Sequence, residues 1–162
     1  MSLKSLALTA ARAILGTTTN DSASAGFIGE FITSTVATPG ATLTSPTPSN
    51  VTSISLTAGD WDVSGVVDFA FAGTTSYTQV QAGISLTTAT LAGQAGGGGL
   101  GTDPNSSFAT PAQVPTALPF TVEVNTVRIS LSATTTVFLV AQATFTVAGL
   151  TAFGTIRARR VR

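Results

Sequence analysis

Between residues 60 and 71 the sequence DWDVSGVVDFAF alternates. Trp61, Val63, Gly65, Val67, Phe69 and Phe71 occupy every second position, and Asp60, Asp62, Ser64, Val66, Asp68 and Ala70 lie between them. A period of two sends neighbouring side chains to opposite faces of a strand, so this stretch predicts an apolar face on a core and a mostly polar face in water. The pattern recurs in VTSISL (51–56), where Ile54 and Leu56 share a face, and from Tyr77 to Ala89, with Val80, Ala82, Ile84 and Leu86 inward. It recurs again in TVFLVAQATFTVA, which puts Val137, Leu139, Ala141, Ala143, Phe145 and Val147 on one side. FIGEFITSTVA (27–37), FTVEV, VRISLSA and LTAFGTIRARRV read as further strands. Asn125-Thr126 and Ala148-Gly149 read as tight turns between them. Residues 38–50 carry three prolines and read as an extended, edge-like stretch.

Two segments depart from this period. In residues 3–15, Leu3, Leu6, Ala7, Ala10 and Ile14 recur at spacings of three and four, predicting a short helix that Gly16 stops. One short helix is marginal alone and needs a partner, either its own domain, copies of itself or another protein. Residues 17–26 read as a polar linker, so residues 1–26 stand as a helix and linker, an anchoring segment ahead of a β domain at 27–162. Residues 93–119 have no period, many glycines and four prolines, and are expected to form one long loop. The whole predicts an all-β antiparallel sandwich of about eight strands with a short N-terminal helix. No period of 20 to 50 residues marks a propeller or solenoid.

Composition narrows the chemistry. Only 9% of residues are charged, against about 25% in an average domain. Polarity is supplied by Thr, Ser, Asn and Gln, and the 43% apolar content is enough for a core. There is no Cys, hence no disulfide or thiol nucleophile, and no His, which removes the commonest general base and zinc ligand. No apolar run reaches the ~18 residues of a membrane span. Arg12 breaks the apolar run near the start and no small-x-small cleavage site follows closely, which argues against a secretory leader.

Net charge is zero, but Arg157, Arg159, Arg160 and Arg162 crowd the last six positions. Three basic and seven acidic residues remain elsewhere, leaving the body mildly acidic and without a broad basic surface for nucleic acid. Alternation continues through the arginines. Ile156, Ala158 and Arg160 fall on one side and Arg157 and Arg159 on the other, as in a last strand rather than a detached basic arm. Arg157 and Arg159 share a face and are therefore expected to pair with carboxylates of a neighbouring strand, subunit or partner protein.

Other candidate sites are weaker. Asp60, Asp62 and Asp68 could gather a hard cation, but no ligand loop surrounds them, and a solvated outer face is the simpler expectation. Nothing selects a carboxylate pair for glycoside hydrolysis. GQAGGGGLG lacks the lysine and following helix of a phosphate-binding loop. No enzymatic activity, cofactor or metal is expected. Trp61 shares its face with Val63, Val67 and Phe69 and belongs to the core rather than to a sugar site. With Lys4 and Arg12 its only charges, the first helix would attract anionic lipid weakly, so docking is favoured over a membrane surface. The expected core comprises Trp61, Val63, Val67, Phe69, Phe71, Leu139 and Phe145, and the expected interface or anchor Leu3, Leu6, Ile14, Arg157 and Arg159. Loop 93–119 is either a flexible tip or a recognition element. In the second case Tyr77, which starts the strand after GTTS, is expected to be exposed beside Gly97, Asp103, Asn105 and Phe108.

NVTSISLTAGDWDVSG and ISLSATTTVFLVAQATFTVAGLTAFGTIRARRVR resemble a family of small tailed-phage and prophage virion proteins, of tail-fibre, spike or head-fibre and decoration type. GTTTNDSASAGFIGEFI is similar to the segment that commonly precedes these stretches. The layout also resembles the trimeric jelly rolls of the tumour necrosis factor and complement globular-head type. The resemblance implies a homotrimer with both chain ends near its base, where residues 1–26 would anchor or trimerise, displayed on a virion and contacting capsid or tail proteins. The charge pattern leaves no nucleic-acid or membrane partner expected. A second reading is a receptor- or carbohydrate-binding module with loop 93–119 at the tip and a host-surface glycan or receptor as ligand. Capsid cement is a third.

Overall fold

The computed structural model describes residues 19–91, 105–113, 120–146 and 149–162. These form eight strands: β1 (Phe31–Thr42), β2 (Ser49–Leu56), β3 (Gly59–Phe71), β4 (Ser76–Ser85), β5 (Asn105–Gln113), β6 (Phe120–Leu131), β7 (Thr135–Thr146) and β8 (Leu150–Arg160). They build two four-stranded sheets, ordered β1-β8-β3-β6 and β2-β7-β4-β5. Every pairing is antiparallel. Each step along the chain changes sheet except β4 to β5, which gives the strand order of a jelly-roll sandwich.

The core lies between the inner faces. From β3 it takes Trp61, Val63, Val67 and Phe69, all fully buried, and from β7 Val137, Leu139, Ala141 and Ala143. Leu56, Ile84, Leu150 and Ile156 complete it, and Phe71 and Phe145 pack half-buried against its edge. Removing each large side chain from water is worth roughly 1.5–3 kcal/mol. Pro39 lies within an irregularity of β1 between Val36 and Ala41, where it has no N–H to give the ladder. There Gly40, at φ +70°, lies so close to β8 that an added Cβ would sit 2.1 Å from the Ala152 carbonyl oxygen.

The alternation misled in five places, each for a definable reason. Asn125-Thr126 is an irregularity inside one strand, β6, and not a turn. Val122 and Val124 face inward before it and Val127 and Ile129 after it, so the phase slips by one residue and the strand continues. Ala148-Gly149 does not close a hairpin, because β7 and β8 belong to opposite sheets (Ala148 itself is outside the described residues). Residues 105–113, read as loop, form β5 on the sheet edge beside β4, where an edge strand can carry a proline such as Pro111. Leu86 is not inward but 39% exposed. Strand β4 ends at Ser85, whose hydroxyl exchanges hydrogen bonds with the backbone of Thr87 and turns the chain. Phe27 and Ile28 precede β1 in a turn and are 67% and 57% exposed. The expected helix at 3–15, with Leu3, Leu6 and Ile14, lies outside the described residues.

Candidate functional site

Arg160 ends β8 on the side of the alternation that faces the core. It pairs in register with Trp61 of β3, so its side chain crosses the indole, with the guanidinium carbon 4.3 Å from the ring centroid. A charge at the rim of an apolar core needs every donor satisfied. Nε donates to Glu30 Oε2 at 2.9 Å, Nη1 to the Ala58 carbonyl at 2.8 Å, and Nη2 to the Thr57 hydroxyl. The Trp61 indole N–H donates to the Thr57 carbonyl at 2.9 Å and fixes the ring beneath. Gly59 makes room for this. It adopts φ +138°, and a Cβ there would lie 2.0 Å from Arg160 Nη1.

Glu30 is held from the other side. Its Oε2 accepts the Gly26 N–H at 2.8 Å. The backbone groups of Gly29, Glu30 and Arg160 exchange bonds of 2.9 Å. Burial alone would raise its pKa. The Gly26 N–H and the Arg160 guanidinium outweigh that and hold the carboxyl below the ordinary glutamate value. The chain's approach to β1 and the exit of β8 are thus fastened together at one end of the sandwich.

A second cluster adjoins it. Asp60, buried despite its position in DWD, accepts Arg128 Nη2 at 2.8 Å and Arg162 Nη2 at 2.7 Å. The Asp60 N–H donates to the Arg162 carbonyl at 3.1 Å, and Val161 N–H donates to the Asp60 carbonyl at 2.9 Å. Hydrogen bonds from the Ser130 hydroxyl and Arg128, opposed by burial and joined by the charge of Arg162, place its pKa below the usual aspartate range. Asp60 is therefore not part of a solvated acidic face or of a cation site shared with Asp62 and Asp68. Its carboxylate is taken up by arginines, and Asp68 accepts the Thr121 hydroxyl.

Arg157 and Arg159 occupy the outer face of the β1-β8-β3-β6 sheet, exposed. Of the pairings expected for them, one with a carboxylate of a neighbouring strand is not seen among the described residues. Among the described residues neither makes an ion pair, and the pairing falls to Arg128, Arg160 and Arg162. Arg157 Nε donates to Ser64 Oγ at 3.1 Å. Between these side chains lies a shallow hollow of about 270 Å³ lined by Phe31, Asp62, Ser64, Thr126, Arg157 and Arg159. It joins a second hollow of about 190 Å³ that reaches Glu123. The Asn125-Thr126 irregularity of β6 forms part of the second hollow's wall.

Tyr77, expected to be exposed, is not. That ring is 7% exposed and stacks on Phe71 at 4.9 Å between centroids, because position 77 faces the core end of β4. Asn105 and Phe108 belong to strand β5, and Gly97 and Asp103 lie outside the described residues.

No family model matches the chain, and no curated protein matches it in sequence. Solved structures resemble it loosely. The infectious bursal disease virus VP2 subviral particle is 11% identical, with TM-score 0.48, over 82% of this chain and 33% of that one. The infectious bursal disease virus Gx strain structure is 11% identical, with TM-score 0.47, over 92% and 38%. This chain spans little more than a third of the length of those proteins at most. The jelly-roll order described above rests on this chain's own strand pairing.

Sequence reasoning missed Glu30, Asp60, Arg128, Arg160 and Arg162 as a connected group. One signal was present: Arg160 falls in phase with Ile156 and Ala158, and an arginine on the apolar side of a strand needs a buried acceptor. Nothing in the local pattern named Glu30, 130 residues earlier, as that acceptor.

Proposed function

We propose that this chain is a structural virion protein without enzymatic activity: a short fibre, spike or decoration protein of tailed-phage type that works as a homotrimer through protein contacts. The observation that carries the reading is the Glu30–Arg160 fastening of a jelly roll. It gathers the approach to the first strand and the exit of the last at one end, leaving the opposite end and both sheet faces for display. The sequence resemblance of 50–65 and 129–162 to virion proteins supports it. So do Phe27 and Ile28, which present apolar surface at the fastened end where a docked or trimeric base would cover it. Residues 1–26 act as the anchor in this reading. Threefold display multiplies weak surface contacts by effective concentration. Light scattering after gel filtration of the full chain tests the assembly, with three chain masses expected. A stable monomer at micromolar concentration defeats the trimer. Labelling on intact particles tests the location, and absence from purified virions defeats the virion role.

A further inference from the structure

The outer hollow holds two arginines that make no ion pair among the described residues. Arg128, Arg160 and Arg162 each pair with a carboxylate, and Arg157 and Arg159 do not among the described residues. Both are exposed, two residues apart on one face of β8, so their Cα atoms lie about 7 Å apart. The registers set out the neighbours in rows. Phe31, Arg159, Asp62 and Arg128 lie across β1, β8, β3 and β6. Arg157 and Ser64 face each other in the next row. The Arg157 Nε–H···Ser64 Oγ bond orients that guanidinium and leaves both Nη groups unbonded among the described residues.

We infer that this hollow binds an acidic saccharide, a sugar ring bearing one carboxylate and several hydroxyls. The guanidinium groups of Arg157 and Arg159 take the carboxylate, as planar forks suited to it. Asp62, Ser64 and Thr126 offer an acceptor and two hydroxyls to the ring's own hydroxyls. Phe31, 40% exposed at the rim, offers an apolar surface to the ring's C–H face. A volume of about 270 Å³ suits one ring. The carboxylates decide against a nucleic acid, since a row of phosphates would lie against Asp62 and, in the adjoining hollow, Glu123. A single carboxylate brings one charge to two arginines and meets that repulsion from Asp62 once rather than along a row.

Calorimetric titration of the full chain with N-acetylneuraminic acid and with glucuronic acid, against glucose as neutral control, tests it. At least one acid is expected to bind about tenfold or more tightly than glucose, equivalent to ~1.4 kcal/mol. Arg157→Gln/Arg159→Gln is expected to abolish that preference while melting with the wild type, since both side chains are exposed. Phe31→Ala is expected to weaken the acid and glucose together. Equal affinity for acids and glucose, no binding of either acid, or an unchanged preference in the double variant overturns the inference. Tighter binding of a thymidine oligonucleotide, falling steeply with salt, also overturns it and places nucleic acid in the hollow.

Discussion

Replacing Glu30 by Gln keeps the shape of the side chain and removes its charge. Arg160 then loses its counter-ion at 2.9 Å and keeps the Ala58 carbonyl, the Thr57 hydroxyl and the Trp61 face. Breaking a buried pair from one side destabilises by about 3–5 kcal/mol. Glu30 and Arg160 retain 9% and 5% side-chain exposure, and a glutamine oxygen can still accept from Gly26 and Arg160. These two facts favour a smaller loss of ~2–3 kcal/mol. At roughly 2–4 °C per kcal/mol for a domain of this size, melting falls by about 5–10 °C. Arg160→Met should cost more, about 3–5 kcal/mol, because it leaves a buried carboxylate without a counter-charge. The double variant should lose less than the sum by ~1–2 kcal/mol, as expected for residues in contact. Calorimetric melting of the four proteins at pH 7 measures this. If Glu30→Gln melts within ~1 °C of the wild type, or the two losses simply add, the fastening is not an energetic unit. Acid gives a second readout. The folded carboxyl ionises more readily than the unfolded one, so the pair's contribution is whole above the unfolded glutamate pKa near ~4.3 and is lost as pH falls through the lower folded value. Asp60 titrates in the same sense. The wild type should therefore lose stability on acidification below that range, and Glu30→Gln should lose less.

Gly59→Ala drives a Cβ against Arg160 and imposes strain of about 1–3 kcal/mol; emission from the single tryptophan should shift as the guanidinium leaves its face. Phe69→Ala should lower unfolding free energy by about 3–5 kcal/mol in urea titration, and Phe69→Asp should yield no soluble folded protein; normal melting of either refutes the register of β3. Arg157→Ala/Arg159→Ala should leave thermal stability within about 0.5 kcal/mol, since neither arginine is ion-paired within the described chain. If that variant keeps its oligomeric mass as well, the two arginines hold no subunit contact.

The sequence by itself determined the class of fold and most of the core. Trp61, Val63, Val67, Phe69 and Leu139 are legible because a period of two in an antiparallel sheet leaves one face dry whatever the partners. The expected strand number agrees with the observed eight through two compensating differences: β6 was read as two strands and β5 as loop. A bulge and a turn look alike in sequence, since both interrupt the phase. A glycine- and proline-rich flank hides an edge strand whose ladder is supplied by β4. Only the tertiary structure decided which strands share a sheet and which charges are buried. The alternation of Arg157 to Arg160 says which arginines face inward, and the shared face of the two exposed ones made them candidates to pair with carboxylates of a neighbouring strand, subunit or virion partner. Among the described residues the sandwich pairs Arg128, Arg160 and Arg162. At the end of an apolar core, Arg160 must be neutralised and Glu30 is the carboxylate that the β1–β8 pairing delivers. Arg157 and Arg159 face water, where no such demand exists, and make no ion pair among the described residues.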